Sequence, residues 1–205
     1  MSLPTPRPLS ADEAASLNAS IPSQFGDYFG PVPEGVPVVP GPVHLPDFEQ
    51  PEFESRLILG DLQVDGLLVN PPHTSLIVTG SLRAGAVLTM GKLVVLGDMV
   101  VGDLYGNSFS NEVCVVKGNL TARCLLEKGH FFETLGRLSG EAALSLSNVV
   151  SAHGGVEVRV AALKGMNDEE RRRVLDASLF DDEGSLSERR IVARLRAGLP
   201  LLRAA

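Results

Sequence analysis

The residues best suited to catalysis in this sequence surround one histidine. His130 lies between Glu127 and Glu133 and is followed directly by Phe131 and Phe132. An imidazole beside a carboxylate can act as a general base. No second titratable residue is placed by spacing to orient the ring, and a histidine stacked at a turn is the alternative interpretation. We therefore predict no catalytic residue here and assign His130 and Phe131 to a protein-binding surface.

The other side chains that could hold a metal or a cofactor are scattered along the chain. His44, His73 and His153 lie in separate predicted turns, and no two histidines have ligand spacing. Cys114 and Cys124 form neither a disulfide framework nor a metal motif, and we interpret both as packing residues in a reducing compartment. The sequence also lacks a nucleophile elbow, a phosphate-binding glycine loop and a dinucleotide fingerprint. We predict no cofactor and no metal.

A second stretch places aromatic rings beside amide side chains. Residues 102–111 contain Tyr105, Asn107, Phe109 and Asn111, and they read as a protruding surface loop. Binding residues often lie on loops that a rigid scaffold positions. We predict that these four residues contact a protein partner, with an ordinary bulged turn as the alternative.

A short repeat in residues 57–160 must position these side chains. Its phrase is a pair of aliphatic residues, a glycine, a small polar residue and a leucine. The glycines of the six phrases are Gly60, Gly80, Gly97, Gly118, Gly136 and Gly154. Their spacings of 20, 17, 21, 18 and 18 residues are too short for a propeller blade or a helical repeat. They fit one coil of a β-solenoid.

Apolar residues in the repeat alternate with a period of two, as in a β-strand. The position two before the glycine and the position two after it are apolar in nearly every phrase. The first column is Ile58, Val78, Val95, Val116, Thr134 and Ala152, and the second is Leu62, Leu82, Met99, Leu120, Leu138 and Val156. Each phrase alone has half a hydrophobic face, so stacking equivalent residues buries all of them.

We therefore predict an all-β core, a single-stranded parallel β-helix (β-solenoid) of about six coils. A β-sandwich would show short strands with frequent turns, but it would not explain a column that recurs every 17–21 residues. A left-handed hexapeptide helix needs a six-residue apolar period, whereas the period here is two.

Two flanking segments set the predicted boundaries. Residues 1–55 form an acidic, Pro-rich arm with a capping box at residues 10–13 that opens a short helix. Eight prolines in residues 22–51 favour extended chain draped over the first coil. The solenoid is assigned to residues 56–162. Residues 163–205 have a helical period and predict two amphipathic helices that pack on the solenoid. We expect both flanks to act as caps.

Charge and hydropathy limit the partners. The formal net charge is −7, and residues 1–55 carry eight acids against Arg7 alone. This distribution argues against nucleic acid, which needs clustered Lys and Arg, and is compatible with a basic protein partner. No apolar stretch reaches 18 residues, and the amino terminus lacks a secretion signal. We expect a cytoplasmic protein that does not bind membranes and is a monomer or a small homo-oligomer.

The Gly-Asp-Leu and Gly-Asn-Leu-Thr-Ala phrases resemble the parallel β-helices of bacterial polymer-forming cytoskeletal proteins of the bactofilin type. Gly-Asn-Leu-Thr-Ala-Arg followed by Gly-His-Phe, with a tail of Leu-Arg-Ala-Gly-Leu-Pro-Leu-Leu, is similar to uncharacterised bacterial β-helix proteins of about this size. The resemblance covers roughly residues 57–202. It implies either end-to-end polymerisation or, for the second group, an immunity protein with a toxin as partner. Bactofilin-type flanks are short and leave the coil ends bare, unlike the two flanks here.

Three classes of function follow. We favour a non-catalytic protein-binding module that presents a flat sheet face and residues 102–111 to a protein, such as a toxin that it sequesters. A structural polymer formed end to end is the second class. The third is a carbohydrate-active β-helix enzyme, which needs converging acids on one outer face. The outward positions show no acid pair: they are Gln63, Asp65, Arg83, Gly85, Thr121, Arg123 and Ser139.

Overall fold

The chain winds into seven coils that contribute strands to two parallel sheets. The computed structural model describes residues 3–27, 30–108 and 112–204. The elements in chain order are β1 (Arg7–Pro8), α1 (Ala11–Ser20), β2 (Pro37–Pro40), β3 (Val43–Leu45), β4 (Phe48–Glu49), β5 (Ser55–Leu59), β6 (Leu62–Asn70), β7 (Ser75–Val78), β8 (Leu82–Thr89), β9 (Lys92–Val95), β10 (Met99–Asn107), β11 (Val113–Val116), β12 (Leu120–Lys128), β13 (Phe131–Thr134), β14 (Leu138–Ser145), β15 (Val150–Ala152), β16 (Val156–Ala162), α2 (Asp168–Val174) and α3 (Glu188–Arg196). Strands β1, β2 and the odd-numbered strands from β5 form the first sheet, and β3, β4 and the even-numbered strands from β6 form the second.

The predicted stacking of equivalent residues is confirmed. In the first sheet, Ile58 aligns with Val78, and this column continues through Val95 and Val116 to Thr134. In the second sheet, the column that begins at Leu62 runs without a break through every coil to Val156 in β16. Both columns point into the space between the sheets and form the inner core. The parallel β-solenoid is therefore established.

The structure has one coil more than the six predicted, and this additional coil is the first along the chain and comes from the Pro-rich arm. Residues 37–49 form β2, β3 and β4, which pair in parallel with β5 and β6. The prediction of extended chain draped over the first coil differs from this arrangement. Val39 and Val43 enter the inner core and continue its columns, while the prolines lie at strand ends, where no ladder donor is needed.

The turn that carries the repeated glycine is nearly identical in every coil, and we call it the glycine edge (residues 60–61, 80–81, 97–98, 118–119, 136–137 and 154–155). From Gly80 onward, each glycine N–H donates to the carbonyl oxygen of the glycine one coil earlier, at 2.9–3.0 Å, whereas the N–H of Gly60 donates to the hydroxyl of Thr79 at 2.8 Å. The following side chains continue this contact: Asp61 accepts from the N–H of Ser81, and Asp98 accepts from that of Asn119, both at 2.7 Å.

The opposite turn varies in length, and we call its described residues the loop edge (residues 51–54, 71–74, 90–91, 108, 112, 129–130 and 146–149). Here each long strand of the second sheet returns to the first sheet. The shortest coil, of 17 residues, has two residues at this turn, and the longest, of 21, has five. The differences in coil length are therefore accommodated at one edge of the solenoid.

The two flanks cover the sides of the solenoid, and at the amino-terminal end the arm also acts as the predicted cap, because β1 pairs with β2 and Leu3 packs against the inner core. Apolar residues of α1 and the arm, such as Leu17 and Phe25, pack on the outer face of the first sheet. Ile191 and Leu195 of α3, with Leu202, pack on the outer face of the second. The cause is the second half of each long strand, which is apolar on both faces and needs a covering layer.

The predicted helices are present, and two of them begin with a capping box. Ser10 and Glu13 form the expected capping box at α1, and Asn167 and Glu170 form another at α2. Helix α2 ends at Val174 and is followed by a short 3₁₀ turn. None of the helices in the described part of the chain has the length and apolar character needed to span a bilayer.

Candidate functional site

The structure places the predicted binding residues mainly in the core. Tyr105 and Asn107 belong to β10 and are buried, so the protrusion predicted for residues 102–111 is a strand as far as Asn107. Tyr105 lies beside Leu88 and Leu126 under the C-terminal layer, and this burial raises the pKa of its hydroxyl. The other two predicted residues of that stretch, Phe109 and Asn111, fall outside the described residues.

His130 is enclosed at the loop edge. Its side chain has no exposed surface, its ring lies 5.3 Å from that of Phe132, and neither ring nitrogen makes a hydrogen bond of good geometry within the described structure. Burial lowers the pKa of the imidazole from 6.5 to about 3, only weakly opposed by the nearby backbone of Val113. The ring is therefore neutral at physiological pH. Phe131, half-buried, packs against the layer that covers the first sheet.

This burial predicts a pH-dependent loss of stability. In the unfolded chain His130 becomes protonated below about pH 6.5, whereas in the folded protein it stays neutral down to about pH 3. The free energy of unfolding therefore falls as the pH falls from 6.5 towards 3. We expect wild type to lose about 3 kcal/mol more than a His130→Leu variant between pH 7 and pH 4, measured by urea unfolding. Other groups titrate equally in both proteins. A difference that stays flat across the window would contradict the assignment.

A buried carboxylate, that of Glu127, joins two neighbouring turns of the loop edge by hydrogen bonds. Glu127 is fully buried and accepts hydrogen bonds from the backbone N–H of His130 and those of residues 146–148, at 2.9–3.0 Å, and from the hydroxyl of Ser145 at 3.0 Å. It forms no ion pair with a described residue. Donors that converge in this way stabilise a buried charge and fix two turns against each other.

Sequence reasoning missed Glu127 as a structural residue. The signal that could have found it is its register column near the ends of the long strands, because that column is polar in most coils, as at Asn70, Thr89 and Ser145. A polar residue that recurs at one position of an otherwise apolar strand indicates a buried hydrogen-bonded column.

The most exposed large apolar side chain in the described structure also lies at the loop edge. Phe53 is 75% exposed and stacks on His73, with ring centroids 5.6 Å apart and an angle of 9° between the planes. Both residues have positive φ, 63° and 60°. They occupy equivalent turns of the first and second coils, between Pro51 and Glu54 and between Pro71 and Thr74. Neither was predicted as a binding residue.

The flat sheet face that the sequence offered as a docking surface is only partly free. The half of the second sheet near the loop edge lies under the C-terminal layer. The free half carries polar side chains around a half-buried Val100, and several are paired: His44 lies 2.7 Å from Asp65, and Arg137 lies 2.7 Å from Glu157. This face therefore presents less apolar surface than the loop edge.

The side chains that could bind a metal do not converge in the described ranges. No three His, Cys, Asp or Glu side chains there are close enough to share an ion. Cys114 and Cys124 are buried and unpaired, as expected for packing residues, and burial raises the pKa of both thiols.

Comparison with protein-family models, curated proteins and solved structures gives no match for this chain. The β-solenoid therefore stands on its strand pairing alone.

Proposed function

We propose that this protein is a non-catalytic protein-binding module and that it binds its partner through the loop edge. The observation that supports this is the exposed pair of Phe53 and His73, held on adjacent turns of a rigid scaffold. Aromatic side chains of this kind are typical anchors of protein interfaces, because they bury a large area at little cost in conformational entropy.

The backbone at Phe53 argues for a role other than stability. A bulky residue at positive φ costs about 1 kcal/mol, and glycine would remove that cost. At 75% exposure the ring gains little from burial within the chain. His73 also has positive φ, so the pair carries this cost twice, and one stacked pair of rings returns only about 0.5–1.5 kcal/mol. A ring displayed at an energetic cost is better explained by a contact with another molecule.

The charges around the ring indicate the partner. Glu52 is exposed beside Phe53, and Glu54 follows, with its carboxylate 2.8 Å from Arg56. The arm that supplies these residues carries all of the net negative charge of the chain. We expect the partner to have an apolar pocket rimmed by Lys or Arg, because complementary charges steer association and fix orientation. A toxin neutralised by this chain as its immunity protein is the finer form of the proposal.

The experiment is affinity capture from the native cell extract, followed by calorimetry with the purified partner. We expect Phe53→Gly to weaken binding at least about 30-fold, as loss of an interface anchor does, while the unfolding free energy changes by less than about 1 kcal/mol. Leu199→Ala is the matched control, because Leu199 is also exposed, at 48%, but lies beyond α3, away from the loop edge. Equal affinity of wild type and Phe53→Gly would refute the proposal.

If the partner is a toxin and this chain is its immunity protein, a growth experiment should show a further result. The captured protein should inhibit growth when it is expressed alone and lose that effect when it is expressed with wild type, but not with Phe53→Gly.

A further inference from the structure

The two ends of the solenoid are protected to different degrees. At the amino-terminal end, β1 pairs antiparallel with β2 and closes the first sheet, and Leu3 packs against the inner core. The second sheet begins there with β3 and β4, which have only three and two residues. Pro42 and Pro46 flank β3. Short, proline-flanked edges of this kind are poor templates for another strand.

The carboxy-terminal end lacks these devices. Strand β16 is the last strand of the second sheet, has seven residues and contains no proline, and within the described ranges no strand pairs with its outer edge. Leu163 and Lys164 turn back only over the start of β15. The edge of β16 therefore leaves a row of backbone donors and acceptors open for pairing.

Apolar surface is exposed at the same end. Val156 is 40% exposed, whereas Leu138, its neighbour in the same column one coil earlier, is 1% exposed. Val149, in the turn that opens this last coil, is 42% exposed. The interior of the solenoid thus continues to a surface that another apolar layer could cover.

The sequence of β16 is complementary to itself. Reversal of Glu157-Val158-Arg159 about Val158 exchanges the acid and the base. The side chains of Glu157 and Arg159 are 69% and 71% exposed. An antiparallel pair centred on Val158 puts Glu157 of each copy opposite Arg159 of the other, and opposite charges across a strand pair are stabilising.

We propose that two copies of this chain associate through β16, antiparallel and related by a twofold axis near Val158. Each copy already pairs Arg137 with Glu157 at 2.7 Å and Glu141 with Arg159 at 3.9 Å. Across the axis these pairs join into a row of alternating charges. The protected amino-terminal ends stop the association at two, so the product is a closed dimer and not a filament.

Sedimentation equilibrium of the full chain across the micromolar range tests this interface. Wild type should be a dimer. Glu157→Arg and Arg159→Glu should each weaken dimerisation about 100-fold or more, because each places like charges opposite one another twice. The double variant Glu157→Arg/Arg159→Glu should restore the dimer. Both residues are exposed, so the fold should survive, and circular dichroism checks that it does.

A wild type that stays monomeric throughout the range would overturn the proposal. So would a dimer that both single variants leave unchanged, a double variant no better than the single ones, or growth into longer polymers. None of these results bears on binding through Phe53, which lies at the loop edge near the opposite end of the solenoid.

Discussion

Replacing Gly97 with alanine should lower the free energy of unfolding by about 3 kcal/mol or more. A Cβ at this position would lie 2.7 Å from the carbonyl carbon and oxygen of Gly80 and 2.8 Å from the nitrogen of Ser81. These are backbone atoms held in hydrogen bonds by the coils on both sides, so they cannot move away as a flexible side chain could. The coils have to separate at the glycine edge, which breaks the contacts that stack them.

Urea unfolding of wild type and Gly97→Ala measures this loss, and Gly30→Ala is the matched control. None of the described residues comes within 4 Å of an atom added at Gly30, and its φ lies outside the left-handed region. Its substitution should therefore be neutral or stabilise the protein by up to about 1 kcal/mol, since alanine restricts the unfolded chain. Equal effects at the two positions would show that close approach is not the reason for the repeated glycine.

We expect Glu127→Ala to be at least as damaging, with a loss of about 4 kcal/mol or more. The variant removes a fully buried acceptor that serves four backbone N–H groups and one hydroxyl, of which the His130 N–H and the Ser145 hydroxyl are themselves buried. Each buried donor left without a partner costs about 1–3 kcal/mol. The turn at residues 146–148 should also exchange its amide hydrogens faster.

Glu141→Ala provides the comparison for this second prediction. Glu141 is also a strand carboxylate of the second sheet, but its side chain is 55% exposed and its ion pair with Arg159 is long, at 3.9 Å. Removal of such a group should change the unfolding free energy by no more than about 0.5 kcal/mol. If Glu127→Ala were as mild as this control, the carboxylate would not be holding the two turns together.

The stacked columns could be predicted because they depend on a single rule. Positions such as Ile58 and Val78 repeat at a fixed offset from a glycine, and burial of half-apolar strands leaves few alternatives to stacking them. The first coil could not be predicted in the same way. Its many prolines argued against strands, but proline is tolerated at the ends of a strand, as at Pro37 and Pro40 of β2, which pairs in parallel with β5.

The placement of the flanks and the site depends on three-dimensional information that the repeat does not contain. The helices were expected at the ends because their apolar stripes had no visible partner, and the outward apolar column through Leu88, Tyr105 and Leu126 was not recognised as that partner. The same column explains why Tyr105 is buried and not displayed. At Phe53 the informative feature is a backbone angle, and nothing in a turn of proline and acidic residues distinguishes an exposed aromatic ring from a packed one.

Hydrogen exchange of the purified chain, alone and saturated with its captured partner, tests binding through the loop edge most directly. We expect slower exchange at residues 51–54 and 71–74 when the partner is bound, and unchanged exchange at residues 80–81 and 97–98 of the glycine edge. Protection confined to the glycine edge or to the C-terminal layer, with residues 51–54 exchanging as in the free protein, would contradict this prediction.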